Sequence, residues 1–307
     1  MPATDLSAEL KTWLDESAVM PESFTIQKPS KQPATFVIMD RDGNGRVRGI
    51  PRGKKGFVLK VRDPDTDAVY AAKFCIAADY DGARSERDEA VLAAKLRDAR
   101  DLFAPPLHIG RVRTFEGMPG PEEGFVCFIS DWIGGQTIES ISSYPSTLTP
   151  EMASEVAIKV LRALNFLQRQ GLKHDDLHWG NVMVRPMSPD MALNEDDLRE
   201  VSVVIIDLGS LKPIDQPTTK SKDDYLSLID LLTQMHNTLW RERPVVSAHP
   251  LFFRNLVRII QCMTDDDPAR FYPKLSDLAR DFSQLRGGAR RDQCDHARIP
   301  ALRSDLG

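Results

Sequence analysis

The sequence predicts an α+β chain, with a strand-rich first part and a larger, mainly helical second part. Three observations carry this. Apolar runs at 36–39, 57–61 and 69–75 alternate with turn clusters such as Asp42-Gly43-Asn44-Gly45 and Asp63-Pro64-Asp65, the punctuation of an antiparallel sheet. Beyond Thr149, apolar residues recur every three or four positions, the period of one helix face. Two further segments end or turn on polar residues: His174–Val184, with a carboxylate and an amide five residues apart, and the apolar run Val203–Ile206 leading to Asp207-Leu208-Gly209.

A chain of 307 residues has room for two domains or lobes of ordinary size, and its 41% hydrophobic fraction suits a globular protein with real cores. With 40 basic against 45 acidic residues and a net charge of −5, no large basic field recruits nucleic acid, which is not an expected partner. No apolar run is long enough to span a bilayer, and Asp5, Glu9, Lys11 and Asp15 interrupt any signal-peptide core, so no membrane partner is expected. Cys75, Cys127, Cys262 and Cys294 are widely spaced and form no Cys-x-x-Cys pair. That points away from a zinc site or a disulfide framework and toward a reducing cytoplasm.

Taken in order, residues 4–18 read as an amphipathic helix with Leu6, Leu10, Trp13 and Leu14 on one face. Docking on the body of the protein is the plain reading, and partner binding the alternative. Asp40-Arg41-Asp42-Gly43-Asn44-Gly45 matches the start of a calcium loop. Its twelfth position is Pro51, where a bidentate glutamate is needed, so a hairpin turn is expected instead. Residues 85–101 read as a helix that Ser85 caps, with Glu89, Leu92, Ala93 and Leu96 on one face. Most helical glutamates are simply solvated; here the inward face and a lysine in need of a partner favour a Glu89–Lys73 pair. Strands are expected at 111–115 and 125–130, joined by a Gly/Pro-rich loop from Gly117 to Gly124 and followed by the connector Asp131-Trp132-Ile133-Gly134-Gly135.

Thr149-Pro150-Glu151 starts a helix whose stripe is Val156, Val160, Leu161, Leu164 and Leu167, and Gly171 ends it. Residues 186–200 read as a surface excursion between two strands, and helices resume at 224–239, 250–264 and 274–285. The polar tail from Arg286 is either disordered or leads into another domain, and its basic run reads as solvated. The expected organisation is an N-terminal extension at 1–30, a first lobe at 31–133, a second at 134–285 and a tail at 286–307.

These segments resemble the protein kinase family over roughly residues 35 to 285. The pattern His-Arg-Asp-Leu-x-x-x-Asn is met by His174, Asp176, Leu177 and Asn181, with Asp175 in place of the arginine. Asp207-Leu208-Gly209 stands for Asp-Phe-Gly, and Val69-Tyr70-Ala71-Ala72-Lys73 for the strand that supplies a phosphate-binding lysine. Gly56 precedes Lys73 by the family's seventeen residues, although Pro51 replaces the first glycine of the loop. Lys222–Leu228 is similar to a segment of casein-kinase-I-like enzymes, and Asp266-Asp267-Pro268-Ala269-Arg270 to a late element of the large lobe.

The resemblance implies a two-lobed protein kinase-like fold, with a small β-rich lobe carrying one helix and a larger, mainly α-helical lobe. ATP and Mg²⁺ are the implied cofactors. Gly53, Gly56, Val58, Lys73, Asp131 and Ile133 would bind the nucleotide. Asn181 and Asp207 would bind metal. Asp176 would be the base, with Lys73 and Glu89 as the catalytic ion pair. His174 is read as structural. The expected activity is transfer of the ATP γ-phosphate to serine or threonine of a protein substrate.

Two departures keep alternatives open. Only fourteen residues separate Gly209 from Asp224, too few for the usual activation segment, and no Ala-Pro-Glu motif appears. Arg270 thus lacks its usual glutamate. Without the arginine replaced by Asp175, a phosphorylated segment cannot be clamped in the usual way. His178 and Gly180 resemble small-molecule phosphotransferases of the aminoglycoside kinase type, so a small-molecule hydroxyl acceptor is the alternative. A nucleotide-binding pseudokinase scaffold is the third reading.

Overall fold

The structure, a computed structural model, describes residues 7–15, 19–27, 33–47, 50–51, 56–77, 91–92, 94–113, 115, 118–119, 124–143, 148–186, 201–216, 224–241, 243–265 and 275–290. The architecture is mixed α+β. The chain divides into two compact units: Met1–Gly134 with Ile206–Gly209, and Gly135–Ile205 with Ser210–Gly307.

In the first unit, helix α1 (Ala8–Asp15) buries Leu10 and Leu14. Of the expected helix at 4–18, residues 4–6 and 16–18 lie outside the described residues, and Ser7 is not helical. The Ser7 hydroxyl accepts the Leu10 N–H at 3.1 Å, which fixes the start of the helix in the way an N-cap does. Six strands follow: β1 (Ser23–Ile26), β2 (Ala34–Ile38), β3 (Gly56–Arg62), β4 (Val69–Ile76), β5 (Pro106–Val112) and β6 (Phe125–Asp131). Their order in the sheet is β1-β2-β3-β4-β6-β5, antiparallel throughout. Gln27 and Arg111 exchange reciprocal backbone hydrogen bonds of 3.1 Å, so the sheet curls until its two edges meet. Gly110 permits the approach, because a Cβ there would lie 2.5 Å from the Gln27 carbonyl oxygen.

One face of the curled sheet buries Phe24, Phe36, Phe57, Phe74 and Phe125 with Leu10, Leu14 and Met20. Phe57 stacks on Phe74 at 4.8 Å, and Phe125 meets both edge-on. Full burial of each such ring contributes on the order of 1.5–3 kcal/mol, which explains why the N-terminal helix and strand belong to this core. On β6, residues 125–129 are all buried, because Val126 and Phe128 pack on the other face with Cys75 and Ala77. The motif at 40–45 forms a hairpin turn, in which the Asp42 carboxylate accepts the N–H groups of Asn44 and Arg46, both at 2.9 Å.

In the second unit, α2 (Ile138–Ser142) and α3 (Pro150–Arg169) come first. Thr149 caps α3 by accepting the Met152 N–H at 3.2 Å, and Gly171 follows the end of the helix with φ +68°. All five residues of the predicted stripe are buried, together with Ala153, Ala157 and Ile158, so α3 is covered on more than one side. Strands β7 (Gln136–Thr137), β9 (Val182–Pro186) and β10 (Val201–Ile205) form a small sheet, and β8 (Leu172–Lys173) pairs with β11 (Lys212–Pro213). The strands flanking 187–200 pair antiparallel, Val201 opposite Pro186. Helices α4 (Asp224–Trp240), α5 (Arg243–Ala248), α6 (Pro250–Met263) and α7 (Leu275–Arg290) complete the unit. The last continues to Arg290, past the expected end at 285, although it carries Gly287 and Gly288, each of which costs about 1 kcal/mol against alanine in a helix. Among the described residues no helix is long and apolar enough to cross a membrane.

Candidate functional site

The expected site residues fall into two groups, one in each unit. Lys73 belongs to the first. It stands in β4 opposite Val58 of β3 and Phe128 of β6, between the fully buried Ala72 and Phe74. Strand alternation therefore aims Lys73 away from the aromatic core. Its Nζ donates to Asp207 Oδ1, 134 positions along the chain. Asp207 follows the buried strand β10 and precedes a 3₁₀ turn at Leu208–Ser210. Its φ of +58° lies in the left-handed region, which costs a non-glycine residue about 1–2 kcal/mol and persists where the surroundings impose it. The two side chains are 31% and 36% exposed. An ion pair that open contributes about 0–1 kcal/mol, so fold stability does not account for it.

Other expected nucleotide contacts lie nearby in the first unit. The Val58 N–H donates to the Pro51 carbonyl at 2.8 Å. Gly56 has a local reason to be glycine: a Cβ there would lie 2.1 Å from the Phe74 carbonyl oxygen of the adjacent strand. Asp131 ends β6 with Arg100 4.0 Å away, and Ile133 is buried. Lys60 sits 5.4 Å over the Trp132 ring. Gly53 and Glu89 lie outside the described residues, as do Thr218, Thr219, Ser221 and the element at 266–270. Of the predicted helix at 85–101, residues 91–92 and 94–95 are helical and Arg97–Ala99 form a 3₁₀ turn.

The second group is the loop from His174 to Asn181. His174 is fully buried, and Asp176 is half-buried. The Asn181 side-chain N–H donates to the Asp176 carbonyl at 2.9 Å, which ties the amide to the loop and turns its oxygen the other way. His178 caps the 3₁₀ turn Trp179–Asn181, its Nδ1 accepting the Gly180 N–H at 3.1 Å. A Cβ on Gly180 would lie 2.9 Å from Glu139 Oε2 and from the His178 ring, so those side chains would have to shift to admit one.

Two residues outside the predicted set hold this loop. Asp224, the first residue of α4, accepts the N–H groups of His174 and Asp175 at 2.7 and 2.9 Å. Lys212 of β11 pairs with the buried Asp175 carboxylate at 2.9 Å. Asp224 carried a sequence signal, a carboxylate opening an apolar helix within a family-like segment. Its bond to a loop fifty residues away carried none. Lys212 is an ordinary lysine in a two-residue strand, legible only as the opposite of the anomalous charge at 175.

Each unit holds one of the expected metal residues, and each offers an oxygen of a kind that magnesium accepts. Asp207 offers a half-exposed carboxylate, and Asn181 an amide oxygen set by its hydrogen bond. Among the described residues no three His, Cys, Asp or Glu side chains gather as a metal cluster. Magnesium needs none, since it is commonly held by one or two carboxylates with waters and phosphate oxygens. No protein-family model matches the chain, and no curated protein matches it.

Proposed function

We propose that the chain is an ATP- and magnesium-dependent phosphotransferase with a protein kinase-like fold, its two units being the β-rich and helical lobes. The observation that carries this reading is the Lys73–Asp207 pair. An amine from β4 and a carboxylate 134 positions along the chain meet in a half-exposed position where their pairing adds little stability. Such a pair exchanges at small cost for the ligands of Mg-ATP, a phosphate for the lysine and a metal for the carboxylate. Bound magnesium supplies charge neutralisation for the phosphates, with Asp207 as one holder and Asn181 as another.

In this reading Asp176 accepts or orients the proton of the attacking hydroxyl. The acceptor oxygen bonds to the γ-phosphorus as the bond to the ADP oxygen breaks. Asn181 and Asp224 act on Asp176 through the loop backbone. Positioning and electrostatics lower most of the barrier, and the base adds about 10²–10⁴-fold.

Protein serine or threonine is the first choice of acceptor, because Asp224 opens a helix in a protein-kinase-like segment. A small-molecule hydroxyl is favoured by one observation, His178 at the exposed face of the loop with its Nδ1 engaged in the turn. Incubating the full chain with Mg-ATP separates them. Phosphosites mapped by mass spectrometry on a generic protein or on the chain itself support the first. Turnover with a panel of hydroxylated metabolites and antibiotics, without protein labelling, supports the second. ATP-induced thermal stabilisation without transfer to any acceptor would leave a nucleotide-binding scaffold.

A further inference from the structure

Resting on the phosphotransferase reading, we propose that Asp175 and Lys212 form a positioning pair that sets the loop carrying Asp176, using charges built into the chain. The Asp175 side chain is 0% exposed. A carboxylate so placed needs a partner, because burial of an unpaired charge is expensive. Lys212 Nζ supplies it at 2.9 Å from Oδ2, with its own side chain 18% exposed. Lys212 is itself fixed in register, opposite Lys173 in the short β8–β11 pairing.

Stability alone does not explain the pair. Apolar residues of similar volume usually serve a buried site as well or better. What the pair does locally is hold an unfavourable backbone. Asp175 has φ +62°, in the left-handed region. Asp224 accepts its N–H and that of His174, and Lys212 holds its side chain. One residue on, the Asp176 carbonyl accepts the Asn181 side chain. Three successive residues are thus pinned at two N–H groups, one carboxylate and one carbonyl, and the Asp176 side chain leaves from the pinned stretch. Neutralising Lys212 removes the side-chain restraint on Asp175, the residue before Asp176, while leaving Asp176 itself untouched. The restraint is internal, so this loop needs no added phosphate group to take its shape.

The test is hydrogen–deuterium exchange, followed by mass spectrometry, on the full chain as wild type, Lys212→Met and Lys212→Arg, with ADP formation from Mg-ATP measured in parallel. In Lys212→Met, uptake by peptides spanning 172–182 rises while peptides of the β3–β4 hairpin keep wild-type uptake. Its kcat falls about 10- to 100-fold with KM for ATP unchanged, as expected for a misplaced base. Lys212→Arg, which keeps the charge, restores both. Wild-type uptake at 172–182 in Lys212→Met overturns the proposal, as does a rise spread evenly over the chain or a change confined to KM. If Lys212→Met does not fold, the neutral double variant Asp175→Asn/Lys212→Met carries the same comparison. Should the wild type form no ADP, the phosphotransferase reading fails, and exchange at 172–182 decides on the pair by itself.

Discussion

Replacing Asp224 by alanine tests the most specific local claim in the structure. One carboxylate accepts two successive backbone N–H groups, at 2.7 and 2.9 Å, from residues that are 0% and 1% exposed. A hydrogen bond to a charged acceptor contributes about 1.5–3 kcal/mol net, and an orphaned buried donor forfeits its full desolvation cost. Two such bonds put the loss for Asp224→Ala at about 3–6 kcal/mol. For a domain of 150–250 residues that is a fall in Tm on the order of 10 °C, since each kcal/mol shifts it by about 2–4 °C. Asp224→Asn keeps one acceptor oxygen and falls between alanine and wild type. Thermal unfolding followed by circular dichroism reads all three. A Tm for Asp224→Ala within about 2 °C of wild type would refute the reasoning, because the two N–H groups would then have found equivalent partners.

Other outcomes follow from separate features. Gly110→Ala places a Cβ against the Gln27 carbonyl, opens the contact between β1 and β5 and exposes the segment before Gln27 to limited proteolysis. Its two bridging bonds are worth about 0.5–1.5 kcal/mol each, and unchanged cleavage kinetics would count against closure of the sheet. Asp207→Ala removes magnesium-dependent ATP binding in calorimetry; binding at wild-type affinity would remove Asp207 from the nucleotide site. Burial pushes the Cys127 thiol well above its ordinary range, with Cys75 adding to the shift. A raised pKa means less thiolate at pH 8, so iodoacetamide leaves native Cys127 unmodified until the sheet is denatured, and rapid native alkylation would contradict its burial.

The fold was legible where the signal is local. The helix after Thr149 announces itself by cap, proline and apolar period, and the ladder of β3 and β4 by two long apolar runs around a turn. Strand β1 was not legible. Ser23–Ile26 is four residues long, and it is held by β2 and, through Gln27, by β5, partners that no window around it contains. Strand β5 begins at Pro106, five residues before the stretch that reads as a strand, with an irregular register between Pro106 and His108. At the site, residue type and order singled out Lys73, Asp176, Asn181 and Asp207. What shapes the loop was not legible: Asp224 stood out as the start of a helix, but its partners at 174 and 175, like the partner of Lys212, are remote in sequence. Gly56 carries the opposite lesson. A glycine read as a phosphate contact also has a plain steric reason, the neighbouring Phe74 carbonyl.

The most direct test of the central claim is label transfer from γ-labelled Mg-ATP by wild type and Asp176→Ala, each first shown to bind ATP. The account predicts transfer by the wild type and a loss of about 10²–10⁴-fold in Asp176→Ala, with ATP affinity kept. Equal transfer by the two proteins, or none by a wild type saturated with Mg-ATP and offered both protein and small hydroxyl acceptors, would contradict it.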